Sequence, residues 1–248
     1  MMLDGAQVNA GARVLDIAAG AGDQTLDIAR RVGVNGYVLA TDISTRIIEL
    51  AQRNANAEGL SQVETRVADA QSLGLDGANF DAAVCRLGLM FCNDPLAALT
   101  SIRNALKPGG HFSALVFSGP QGNPCLAVMM RTALKQAGLA PESPFIPGTL
   151  MSLGKPGLFA RLLNDAGFVD IDVQPVSAPF HLPASRHYID FVRSAGSPIM
   201  QILAPLTASQ QADAWAEMET QLNMFNAPSG WIGPHELLLC AATAPGAC

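Results

Sequence analysis

Between an apolar run and a segment patterned as an amphipathic helix, the chain reads VLDIAAGAGDQTLDIAR, from Val14 to Arg30. Asp16 stands four residues before Gly20, and Ala18, Gly20 and Gly22 keep the intervening loop nearly free of side chains. Such a loop lets backbone N–H groups approach a bound molecule closely, and the helix that follows directs its positive end at the same place. Two ligand chemistries fit a turn of this kind. A dinucleotide loop carries a third glycine, in the pattern G-x-G-x-x-G, so that helix and strand pack tightly around a pyrophosphate. Here Thr25 stands at that position, and Asp23 would set a carboxylate against the dianion. A ligand bearing a cation and one carboxylate suits the residues better: Asp16 favours the cationic part, directly or through water, and the helix start receives the carboxylate, beside Gln24.

Three further positions continue the pattern. Asp42-Ile43 follows a second apolar run, with Asp42 twenty residues beyond Gly22, the separation at which an acid meets ribose hydroxyls. Asp69-Ala70 closes a third such run, where a carboxylate or neighbouring backbone reaches an adenine amino group. Arg86-Leu87 closes a fourth, nearest the part of the ligand that would react. As structural alternatives, Asp42 would be an acid at a helix N-terminus stabilised by the dipole, Asp69 a solvated loop acid and Arg86 a partner in an ion pair.

Positioning these ends requires a particular scaffold. Strand patterns at Val14–Ala18, GYVLATDIS, QVETRVADA, FDAAVCRLG and GGHFSALVFS alternate with helix patterns at about Asp23–Val32, from the Ser44 N-cap to about Ala57, and at PLAALTSIRNALK. Strands separated by helices imply βαβ units, a parallel sheet and right-handed crossovers, with the ligand outside the carboxyl ends of the strands. Pro108-Gly109-Gly110 is expected to stop the third helix. The second half is less regular. Helices are expected at NPCLAVMMRTALKQAGL, at KPGLFARLLNDAGF and from about Ala208 to Phe225, and strands at VDIDVQPVSAPF and HELLLCAAT.

VLDIAAGAGDQT, ATDIS, VADA, FDAAVCRLGLMF and ALKPGG, in this order, resemble the class I S-adenosylmethionine-dependent methyltransferases, and most closely the small-molecule branch that includes the ubiquinone/menaquinone biosynthesis C-methyltransferases. The resemblance implies an α/β, Rossmann-like, doubly wound seven-stranded sheet in the order 3-2-1-4-5-7-6 with strand 7 antiparallel. It implies S-adenosyl-L-methionine as cofactor and in-line displacement: an O, C or N atom of a small, largely apolar acceptor attacks the sulfonium methyl, and S-adenosylhomocysteine leaves. Asp16, Ala18, Gly20, Gly22, Gln24, Asp42, Ile43, Asp69, Ala70, Arg86 and Leu87 are the expected cofactor residues. In two respects the chain departs from its relatives. Ala18 stands where glycine is commoner, and only about a dozen residues precede the first strand, where relatives carry helices that cover the site. The segment from about Ser185 to Phe225, between the last two strands, is therefore expected to be a helical lid within a single domain spanning 1–248.

General-base candidates are His181, His187 and Tyr188, with His235 less well placed and His111 at the far end of the fifth strand. LGLMF, together with Met129 and Met130, would line an apolar acceptor pocket. A protein of the same fold that binds the cofactor without turnover, and a nicotinamide-dependent oxidoreductase, are the alternative functions.

Composition sets the outer bounds. With 15 Lys+Arg against 21 Asp+Glu and a net charge of −6, the chain has no basic cluster for a run of phosphates, which argues against nucleic acid. Apolar residues at 49% with only 15% charged imply extensive buried surface, in a pocket or a homodimer contact. The five cysteines Cys85, Cys92, Cys125, Cys240 and Cys248 form no C-x-x-C pair, so neither disulfides nor zinc is expected, and no other metal-ligand cluster stands out. No apolar run suffices to span a bilayer and no leader pattern opens the chain, which gives a cytoplasmic expectation.

Overall fold

The computed structural model describes residues 1–75, 77, 79–195 and 198–246. It divides into two compact units. The first comprises Met1–Phe117, Phe145–Pro175 and the chain from Leu238 on, and the second Ser118–Pro144 and Val176–Leu237.

In the first unit, helix α1 (Met2–Gly5) precedes β1 (Arg13–Ile17), α2 (Asp23–Val32), β2 (Tyr37–Asp42), α3 (Thr45–Ala57), β3 (Val63–Val67), β4 (Phe80–Arg86), α4 (Pro95–Ala105) and β5 (Leu106–Phe117). The fold follows from the apolar patterns. Val14, Leu15 and Ile17 of β1, and Val38, Leu39 and Ala40 of β2, are buried on both faces, as strands covered by helices on either side must be. Leu26, Ile28, Ala29 and Val32 give α2 its buried stripe, and each large aliphatic side chain so buried contributes about 1.5–3 kcal/mol. Ser44 caps α3, its hydroxyl accepting from the Ile47 N–H. Asp94 caps α4 by accepting from the Ala97 N–H at 2.9 Å.

The strands run β3-β2-β1-β4-β5-β10-β6, where β6 is Val169–Ser177 and β10 is Glu236–Thr243, with β10 antiparallel. β1 pairs in parallel with β2 and β4, aligning Asp16 with Ala40 and with Val84. β10 and β6 stand where strands 7 and 6 of the expected order do. The three strands numbered between them form a separate small sheet in the order β7-β9-β8, built from β7 (Phe180–Leu182), β8 (Asn226–Ala227) and β9 (Gly230–Gly233). One boundary differs from expectation. α4 ends at Ala105, and Pro108, Gly109 and Gly110 lie inside β5, where a register irregularity opposite Phe80 and Ala82 absorbs them. The Gly109 N–H donates to the Ala244 carbonyl, and the Ala244 N–H to that of Gly110. His111 is thus within the strand and faces Ala82.

The second unit holds α5 (Pro124–Gln136), α7 (Ser185–Ser194), α8 (Pro198–Leu203), α9 (Ala208–Leu222) and a 3-10 turn at Asn223–Phe225, while α6 (Leu158–Asp165) belongs to the first. Met129, Tyr188, Trp215, Met218, Leu222 and Trp231 are among the residues of its own core.

Candidate cofactor site

Four strand ends of the first unit converge on one cavity of about 440 Å³, within the range usual for small-molecule sites. Ile17 and Ala18 border it from β1, Asp42 and Ile43 from β2, and Asp69, Ala70 and Gln71 from the turn after β3. Leu87, Gly88, Leu89, Phe91 and Cys92 complete the wall after β4. Six of the expected cofactor residues are therefore brought together: Ala18, Asp42, Ile43, Asp69, Ala70 and Leu87.

The other five lie around that wall. Asp16 is 1% exposed, accepting from Gln24 Nε2 at 3.0 Å and from Thr25 Oγ1 at 2.6 Å. Burial pushes its carboxyl up to about 6, against the pull of these two donors and of the Arg86 charge. Thr25, which breaks the dinucleotide pattern, thus ties the helix to the strand. Gln24 is buried behind the loop. Gly22, with φ of 93°, starts α2 and backs onto α3, where a Cβ would come within 2.9 Å of the Ala51 Cβ. Arg86 is exposed at the end of β4.

Gly20 has φ of 58°, and a Cβ built there meets no protein atom within 4 Å. Its N–H donates to Asp42 Oδ2 at 3.0 Å, while Asp42 Oδ1 accepts from the Ser44 N–H at 2.9 Å. Each oxygen of that carboxylate keeps a lone pair for a further donor. Asn54 Nδ2 donates to the Ala21 carbonyl, bracing the loop from α3. Two non-glycine residues of the cavity wall, Ala18 and Leu87, have left-handed φ of 53° and 58°. This conformation costs roughly 1 kcal/mol per residue, and such strain clusters at functional sites. Their neighbour Gly88 is needed for close approach, since a Cβ there would lie 2.3 Å from the Ala18 Cβ.

The general-base candidates occupy the second unit. His181 is exposed. His187 is half-buried, with Nδ1 3.2 Å from the Ala184 carbonyl. The Tyr188 hydroxyl is buried and lies 2.7 Å from His235 Nε2, while His235 Nδ1 lies 3.2 Å from the Gly233 carbonyl. Met129 sits in the core of that unit and Met90 in the core of the first, whereas Leu87, Leu89 and Phe91 border the cavity. Gln71, which also lines the cavity, carries no recognisable motif and was not singled out in the sequence. Cys85, Cys92, Cys125 and Cys240 are free thiols, and Cys248 lies outside the described residues. Among the described residues no group of three or more His, Cys, Asp or Glu side chains could hold a metal ion, and no helix is long and apolar enough to cross a membrane.

Residues 14–110 match the methyltransferase domain family. Over that stretch the chain is similar to a methyltransferase domain. It is 37% identical over 119 residues to a ubiquinone/menaquinone biosynthesis C-methyltransferase from Idiomarina loihiensis, covering 48% of this chain and 47% of that protein. To the protein of the same name from Salmonella arizonae it is 28% identical over 185 residues, covering 71% and 74%. For several of these curated relatives the chain spans about half the length. The fold is also that of the YcgJ protein from Bacillus subtilis, with a TM-score of 0.68 at 17% identity over 99% of this chain and 97% of that one. Phosphoethanolamine N-methyltransferase 2 from Haemonchus contortus, solved with S-adenosyl-L-methionine, gives 0.59 at 19% identity over 96% and 49%.

Proposed function

We propose that the chain is an S-adenosyl-L-methionine-dependent methyltransferase acting on a small, largely apolar acceptor. The observation that carries this reading is the cavity bordered by Ala18, Ile43, Ala70 and the Asp42 carboxylate, which keeps lone pairs to spare and accepts from the N–H of Gly20, a residue whose own Cβ position is open. A nucleoside thioether fits that donor and acceptor set. Asp42 would accept from the ribose hydroxyls, Ile43 would pack on the base, and Asp69 would accept from its amino group. Gly20 and its neighbours would admit the amino-acid portion, and Asp16 would act on that portion's positive charge from behind Gln24 and Thr25. When bound, the cofactor supplies a methyl group already activated on a sulfonium.

The chain's contribution is then alignment and exclusion of water, which in favourable cases contribute about 7–11 kcal/mol to the barrier reduction. Leu87, Leu89 and Phe91 give the acceptor an apolar wall. The C-methyltransferase relatives favour carbon as the atom methylated. We further propose that residues 185–225 act as a lid, and that His181 or His187 serves as base where the acceptor needs to lose a proton. A cytoplasmic enzyme, monomeric or homodimeric, is the setting this reading assumes. The deciding experiment incubates the protein with methyl-labelled cofactor and a panel of quinols, phenols and amines. Labelled product together with S-adenosylhomocysteine supports the proposal; tight cofactor binding without turnover on any acceptor favours a binding protein instead.

A further inference from the structure

The amide of Gln71 joins two elements at the cavity. Its Nε2 donates to both oxygens of Asp69, at 3.1 and 3.0 Å, and its backbone N–H donates to Asp69 Oδ1 at 2.9 Å. On its other side, Gln71 Oε1 accepts from the Asp94 N–H at 2.7 Å, and Asp94 is the residue that caps α4. The Ser72 N–H closes the turn by donating to the Asp69 carbonyl at 2.9 Å. One side chain therefore spans from the end of β3 to the start of α4, fixing the plane of the Asp69 carboxylate. Cys92 borders the same cavity, and burial, followed by the Asp69 and Asp94 charges, pushes its thiol up to about 11.

We propose that Gln71 is a positioning residue that makes the cavity selective for a base edge offering an amino group over one offering a carbonyl. The inference rests on the reading of the cavity as a nucleoside thioether site. Gln71 donates to both oxygens of the carboxylate, and Ala68 and Ala70, which line the same cavity on either side of Asp69 in the chain, provide no side-chain donor to compete with a ligand. A carboxylate held there accepts from the 6-amino group of adenine and repels the 6-oxo group of hypoxanthine. Without the Gln71 side-chain amide, the backbone N–H of residue 71 alone holds the carboxylate, at one oxygen, and the distinction fades. A Gln71 that only braced the wall through Asp94 would instead, when substituted, weaken every nucleoside alike.

Titration calorimetry with S-adenosylhomocysteine and S-inosylhomocysteine, on the wild-type chain, Gln71→Leu and Gln71→Met, separates these outcomes. The wild type is expected to prefer the adenosyl compound at least tenfold. In either substituted protein that preference should fall to threefold or less, through weaker adenosyl binding at nearly unchanged inosyl binding. Should one variant fail to fold, the other carries the measurement. Equal weakening of both compounds, an undiminished preference in the variants, or a wild type that does not discriminate overturns the role of Gln71. A wild type that binds neither compound overturns the methyltransferase reading itself, and the inference with it.

Discussion

Ala18 and Gly88 show how closely the walls of the cavity are fitted. Gly88→Ala would drive a methyl into that of Ala18 and towards Cys85 Sγ, and overpacking of this kind costs about 1–3 kcal/mol. Ala18→Gly removes the opposing methyl and the left-handed strain together, so the double variant should recover most of the loss. Urea melts of the two single variants and the double variant would show this coupling; additive effects would mean that the two loops do not touch. Asp16 provides a test by pH. Its folded pKa of about 6 lies above the ordinary aspartate value of about 3.9, so the native state holds the proton more tightly than the unfolded chain. Its contribution is therefore fully present below about pH 4 and lost as the pH rises through 6, a change on the order of 3 kcal/mol. Asp16→Asn should lack this slope between pH 4 and 6.5 in thermal melts. A variant with the wild-type slope would assign the titration to another group.

The helices and small sheet of the second unit can be followed separately, because Trp215 and Trp231 are the only tryptophans in the chain and both lie there. Tyr188 stacks on Trp231 with ring centroids 5.1 Å apart, and burial lowers the pKa of its partner His235. A lowered folded pKa means that this histidine's contribution is present above its usual value of about 6.5 and is lost as the pH falls below it. Tryptophan emission should therefore report an acid transition that Tyr188→Phe shifts to higher pH by weakening the neutral pair. Emission constant from pH 8 to 4 in both proteins would contradict it. For the proposed lid, hydrogen exchange over α7 and α9 should slow when cofactor and acceptor are both present, and identical exchange in all states would remove that role. The strands and helices of the first unit were legible because each is a βαβ element with its own period and caps, as Ser44 and Asp94 illustrate. Less was legible at Leu106–Gly110, where hydrogen bonds to Ala244, just past β10, hold the breaking residues in the strand, and in β7 to β9, whose two to four residues carry too little pattern to be read.

At the scale of the whole molecule, the acids and small residues at the ends of β1, β2 and β3 marked in the sequence several residues that border the cavity. The sequence could not locate Gln71 or Gly88, whose roles come from contacts made across loops by residues distant in the chain. Activity should survive EDTA, since the proposed reaction draws on the sulfonium and on apolar enclosure rather than on a Lewis acid; abolition by EDTA and recovery with one metal would require a different mechanism. The most direct test of the account is calorimetric titration of S-adenosylhomocysteine into the wild-type chain and Asp42→Ala. One saturable site is expected, weakened by about 1.5–3 kcal/mol in the variant through loss of charge-assisted hydrogen bonds. Absence of binding to the wild type, or equal affinity in a folded Asp42→Ala protein, would contradict it.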